Sequence, residues 1–158
     1  MKITKKVRTK SLAKGLVAGL IGGLVATAAK KTVERIYPPR THGEPDPSTL
    51  LAERAAKHKL SIRQHPITKE AIHWGFGAAT GAAYGAAVEY FPAASGKDGA
   101  NFGMALMTLT HEGALPALGL SRHTSEQTIR ERTSEMTSHV IFGVVTETVR
   151  RVVRRALR

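Results

Sequence analysis

Ionisable residues inside apolar stretches are where this chain could do chemistry. His111 and Glu112 sit together in the middle of an otherwise apolar segment, ANFGMALMTLTHEGALPALGL. Glu135 and His139 are four residues apart in another such segment and share a helix face. His73 and Tyr84 are eleven apart, three helical turns, and share a face on a third. A charge at the centre of a membrane helix costs about 2.5–3.5 kcal/mol on insertion scales, so each such group asks for a partner. Together His73, Tyr84, His111, Glu112, Glu135 and His139 form a candidate buried polar cluster. Three uses fit these residue types and stay open at this point. Histidines can bridge helices through hydrogen bonds alone. Imidazoles, titrating near about pH 6.5, can charge together on acidification. His and Glu are also suitable zinc ligands, although spacing across separate helices is not a metal motif in itself.

Catalytic motifs are missing around these residues. His111 begins HEGAL, which lacks the second histidine four residues on that a zinc protease needs. Gly96-Lys97 has neither the preceding glycine nor the following Ser/Thr of a phosphate loop. Ser134 and Ser138 lie near His139 in sequence, but adjacent positions on a helix do not face each other, so no serine–histidine pair is implied. With no cysteine there is no disulfide framework, thiolate site or cysteine nucleophile. The chain is therefore read as non-enzymatic, with no cofactor expected and zinc kept as an alternative ligand of the cluster. A second charged group, Glu89, Glu147, Arg150 and Arg151, falls at segment ends and reads as ion pairs clasping helix termini.

The elements that must position these residues are apolar segments capped by basic ends. The 158 residues carry 24 Lys+Arg against 12 Asp+Glu, a formal charge of +12, and the excess is concentrated at the termini. Lys2, Lys5, Lys6, Arg8, Lys10 and Lys14 open the chain without an acid; Arg150, Arg151, Arg154, Arg155 and Arg158 close it. Between them, four spans are expected, at about 15–29, 71–91, 100–120 and 133–149, with basic tails at 1–14 and 150–158 and a polar loop at 30–70. Lys14 and Lys30 flank the first span as snorkelling anchors. Within the loop, Asp46 as N-cap and Pro47 at the first helical position predict a short helix reaching Lys59. The fold expected is all-α, a four-helix membrane domain over 15–149.

Two runs of glycine at four-residue spacing, Gly15, Gly19 and Gly23 and then Gly77, Gly81 and Gly85, would form a glycine zipper that lets two backbones approach closely. They compensate for spans built from Ala and Gly, which add little transfer energy; mean hydropathy is only −0.16. A soluble helical hairpin is the competing fold, but consecutive glycines, each about 1 kcal/mol worse than Ala in a helix, would make it a poor one. A cleavable leader over the first segment is the other alternative, and the later apolar spans argue against it. Acid-free basic ends place both termini in the cytoplasm, next to anionic lipid headgroups. His73, Glu135 and His139 then fall in the outer half of the bilayer, His111 near the middle. With 5% aromatics there is little to stack on bases, so nucleic acid is not an expected partner.

His73, Phe76, Tyr84, Glu89 and Phe91-Pro92, then Gly99, Gly103, His111, Pro116 and Gly119-Leu120, then Glu135, His139, Glu147 and Arg150-Arg151, stand in a spacing that resembles the YagU-like inner-membrane proteins of bacteria. Pro38-Pro39-Arg40 is similar as well, so the resemblance runs from about Pro38 to Arg151. It implies a multi-pass cytoplasmic-membrane protein of unknown activity, loosely associated with acid stress. The chain differs in a shorter first loop and in fewer large hydrophobes. The function expected is thus a small membrane protein whose His/Glu cluster senses or passes protons or fixes the bundle. Its rivals are a transport or channel component for protons or divalent metal, formed by homo-oligomers, and a soluble basic helical protein binding nucleic acid.

Overall fold

The computed structural model describes residues 10–40, 43, 46–57, 59–61 and 64–157. Residues 1–9 of the basic N-terminal run, His42, Glu44, Pro45, His58 and Arg158 lie outside them. All regular structure among the described residues is helical.

Helix α1 (Leu12–Ile36) starts at Ser11, whose side chain accepts the Lys14 N–H as an N-cap. Helix α2 (Pro47–Ala56) starts as its sequence predicts, with Asp46 accepting from Ser48 N and Pro47 in the first turn, and ends at Lys57 in the left-handed conformation. Helix α3 (Gln64–Tyr90) is stopped by Pro92, which opens a stretch of 3-10 turns (Pro92–Gly99) broken by non-helical backbone at Ser95–Asp98. Helix α4 (Ala100–Met107) passes into a π-helical stretch (Thr108–Ala114) and a last turn, α5 (Leu115–Ala117). Pro116 accounts for the wide turn: it has no N–H to donate, and its ring crowds the carbonyl four residues back. Leu115 N–H reaches back five residues, to the Thr110 carbonyl. Helix α6 (Ile129–Ala156) opens with a capping box between Thr128 and Glu131.

Helix α1 packs against both α3 and α6, and α4 packs against α6 and stacks Phe102 on Tyr84 of α3. On the α1–α3 face, Gly15, Gly19 and Gly23 meet Gly85, Gly81 and Gly77 in antiparallel register. A Cβ on Gly19 would run into the Gly81 carbonyl, and one on Gly15 would lie 2.9 Å from the Gly85 carbonyl oxygen. The two runs are therefore used against each other inside one chain, not against a second copy. A further close approach joins α4 to α6, where Gly103 faces the His139 carbonyl and Gly99 faces Gly143. Gly99 is glycine on two counts, since its φ of +90° disfavours any side chain.

Helices α1 and α6 run past the expected span limits at both ends and α3 at its start, whereas the third segment stops at Ala117, short of the expected 120. At the C-terminus, 150–156 continues α6 instead of forming a separate tail. Arg150 and Arg154 are each 3% exposed and point into the bundle. Of the described helices, only α1 is both long and apolar enough to cross a membrane by length and composition. The other three expected spans fall short because α3 is built from small residues, α4 is only eight residues long, and α6 carries Glu, His and Arg along its buried face.

Candidate functional site

Both ends of the bundle hold buried charge, in different states. At the end where the termini meet, Tyr84 Oη donates to Glu147 Oε2 at 3.0 Å. Arg150 grips the same carboxylate through Nε at 2.6 Å and Nη2 at 2.8 Å, and Arg151 Nε reaches Oε1 at 2.5 Å. Arg151 also pairs with Asp98 at 2.8 Å. Beside it, Arg154 holds Glu89 with two bonds of 2.9 and 2.5 Å, and Ser11 N–H donates to Glu89 Oε1. The structure thus brings Glu147, Arg150 and Arg151 together, but pairs Glu89 with Arg154, which the sequence reading left among the tail cations. Tyr84 is corrected: it stacks on Phe102 with ring centroids 4.1 Å apart and belongs to this end, not to the histidines.

At the opposite end, three side chains converge. His111 Nδ1 lies 3.5 Å from Glu135 Oε1, and His139 Nδ1 lies 3.7 Å from Glu135 Oε2. The two imidazoles meet edge to face with centroids 4.8 Å apart. One donor atom from each of His111, Glu135 and His139 lies within 4.8 Å of the others. The π-helical turn presents His111 to α6 and leaves Glu112 exposed on the outside, so Glu112 is corrected out of the buried cluster. His139 Nδ1 hydrogen-bonds the Glu135 carbonyl at 2.8 Å, which as donor fixes the tautomer and leaves Nε2 with its lone pair.

These residues line a cavity of ≈ 590 Å³, whose wall also includes His73, Thr110, Leu115 and Phe76. His73 hydrogen-bonds the Lys69 carbonyl at 3.0 Å and stands outside the three-residue group. Two cations approach Glu135 without a hydrogen bond, Arg40 Nη2 at 3.6 Å and Lys30 Nζ at 3.9 Å. Each has other partners: Lys30 bonds Glu34 and Ser138 Oγ, and Arg40 pairs with Asp46 at 3.8 Å. Glu135 Oε2 itself has no hydrogen-bond partner among the described residues. Lys30, expected as a headgroup anchor, is thus turned inward, and the Pro38-Pro39-Arg40 turn delivers a guanidinium that spacing alone did not predict.

Helix α2 lies over the cavity and is tied at both ends. Asp46 binds Lys69 at 2.8 Å, and Arg54 Nη1 donates to the Leu118 carbonyl at 2.5 Å. Burial pushes the Asp46 carboxyl up, but the hydrogen bonds from Lys69 and Ser48 and the Lys69 charge outweigh it and hold the group well below the usual carboxylate range. Glu70, at the rim, is lowered by its bond to Lys31.

The fold and site together define a class, an α-helical bundle with small-residue helix contacts and buried charged groups at both ends. Residues 24–148 match the model of the family described as "Protein of unknown function (DUF1440)", and the chain belongs to that family. No match is found to a curated protein or to a solved structure.

Proposed function

We propose that the protein is a multi-pass, non-enzymatic protein of the bacterial inner membrane, with both termini cytoplasmic, that takes a small polar or cationic solute into the cavity at its outer end. The observation that carries the membrane reading is the inversion of α1. Its buried residues are Gly15, Ala18, Gly19, Gly22, Gly23, Ala26 and Thr27, all small. Of its large ones, Leu12, Leu16, Val17, Leu20, Ile21 and Val25 are 36–50% exposed, Ile36 is 80% exposed, Leu24 and Val33 are half-buried, and none is buried. A water-soluble bundle buries its large apolar side chains; a bundle in lipid gains nothing by doing so and packs through small ones. Helix α6 adds to this, since it turns Glu135, His139, Glu147 and Arg150 inward. By length, α3 and α6, with 27 and 28 residues, also suffice to cross about 30 Å of hydrocarbon.

On this reading the lipid bilayer is the partner of the exposed apolar face, and the exposed Arg155 with the N-terminal cations meets anionic headgroups. The solute reading is supported by the volume of the cavity and by a carboxylate in its wall that is not consumed by hydrogen bonds. Carbonate and high-salt washing of membranes tests integration, and the protein should stay in the pellet. Reporter fusions at Lys14 and Leu157 should then report cytoplasm, and fusions at Lys57 and His123 periplasm. Release by carbonate overturns the membrane assignment, and a cytoplasmic signal at Lys57 overturns the topology.

A further inference from the structure

We infer that His111, Glu135 and His139 form a binding site for a divalent first-row transition metal, zinc foremost, with its remaining coordination position open to the cavity. The inference rests on the cavity reading above and names the class of solute that the cavity takes. Two imidazoles and one carboxylate are the donor set that favours zinc and its neighbours over magnesium or calcium, which call for oxygen alone. Metal–ligand bonds of about 2.0–2.2 Å put tetrahedral ligands about 3.3 Å apart. His111 Nδ1 and Glu135 Oε1, at 3.5 Å, are already at that spacing. The widest separation in the group, 4.8 Å, closes with a rotation of an imidazole about its broad χ2 well.

Three further observations favour a metal over a purely structural contact. The Nδ1–H of His139 is held by a backbone carbonyl, the support that orients a metal-binding imidazole and leaves Nε2 to ligate. His111 and Glu135 come from different elements, so the donors are placed by the packing of α6 on the π-helical turn and not by a flexible loop. The cations beside the carboxylate are weakly engaged with it: Lys30 bonds more closely to Glu34 and Ser138, and Arg40 is held loosely by both Glu135, at 3.6 Å, and Asp46, at 3.8 Å. A metal ion can therefore take Glu135 from them without stranding either charge.

The test uses the full-length protein purified in lipid nanodiscs and stripped with chelator, with Co²⁺ as a spectroscopic probe and Zn²⁺ as competitor. One equivalent of Co²⁺ should bind, with visible ligand-field bands displaced by Zn²⁺. His111→Gln, Glu135→Gln and His139→Gln should each weaken binding at least tenfold, while His123→Gln, outside the cavity, leaves it within twofold. Arg40→Gln removes a competing cation and should tighten binding several-fold. Elution profile and helical circular dichroism establish that each variant is folded. Lack of saturable Co²⁺ binding by folded protein overturns the inference, as does binding indifferent to the three ligand changes or weakened by Arg40→Gln. A pH-driven transition governed by the same histidines with no bound metal would assign the cluster to protons and would also overturn it. Failure of the membrane reading is separate, because it appears in the carbonate wash and not in the metal titration.

Discussion

Glu147 and Glu135 are twelve residues apart on one face of α6, about 18 Å along the axis, and both are buried. Their surroundings differ in kind. Both oxygens of Glu147 are taken, by a phenol and two guanidinium groups at 2.5–3.0 Å. Glu135 faces two imidazoles and two cations, all at 3.5–3.9 Å, beside a cavity. A carboxylate with saturated hydrogen bonds holds helices in place and has no capacity left for a ligand. One whose neighbouring cations and imidazoles stand just outside bonding distance contributes less to the fold and keeps its lone pairs available. The same residue type on the same helix thus serves structure at one end and, on our proposal, binding at the other.

The comparison is broken most directly by neutralising each carboxylate in turn. Glu147→Gln should cost about 3–5 kcal/mol, because it leaves Arg150 buried without its counter-charge. Glu135→Gln should cost no more than about 1 kcal/mol, since Lys30 and Arg40 keep their other partners. Unfolding midpoints in one detergent system decide the matter, and equal losses would erase the distinction between the ends.

The next effect tests whether both ends hang on one close helix contact. Gly81→Leu should cost about 3 kcal/mol or prevent assembly, because its Cβ would already lie 2.6 Å from Gly23 Cα. Ala83→Leu, on the exposed face of the same helix, should be tolerated. Equal tolerance would mean that α1 and α3 do not depend on their glycine register. A smaller loss, about 1.5 kcal/mol, is expected for Tyr84→Phe, which removes one hydrogen bond to a charged group and keeps the stacking on Phe102.

Much of this contrast could be read in the sequence, and the parts that could not share a cause. Four-residue spacing marked Gly15, Gly19 and Gly23 and their counterparts on the second apolar segment, and Asp46-Pro47 marked a helix start, because both signals are local and periodic. His111, Glu135 and His139 stood out because ionisable groups are costly in apolar segments. Glu112 was misplaced because an ideal α-helix carries no sign of the π turn that Pro116 provokes; the proline was the available signal. Tyr84 was assigned to His73 by face-sharing on one helix, whereas its partner, Glu147, is 63 residues away. Lys30 and Arg154 read as an anchor and a tail cation because composition records charge but not the direction in which a long side chain turns.

The smallest effect concerns α2, which covers only the open end of the bundle and so should loosen without touching the other. Asp46→Ala removes the N-cap to Ser48 and the ion pair to Lys69, a loss of about 1 kcal/mol confined to α2. Amides of α2 should then exchange about fivefold faster at pH 7, the equivalent of that energy, while those of α6 around Glu147 are unchanged. The pH dependence has a definite sign. The folded carboxyl titrates below its ordinary value of about 3.9, so its contribution is fully present above that value and fades as pH falls toward the folded one. The difference between Asp46 and Asp46→Ala should therefore be constant from neutral pH down to about 5 and narrow below about 4. A difference that instead grew on acidification would mean that the neutral carboxyl holds α2, and the tie to Lys69 would not be what closes the cavity.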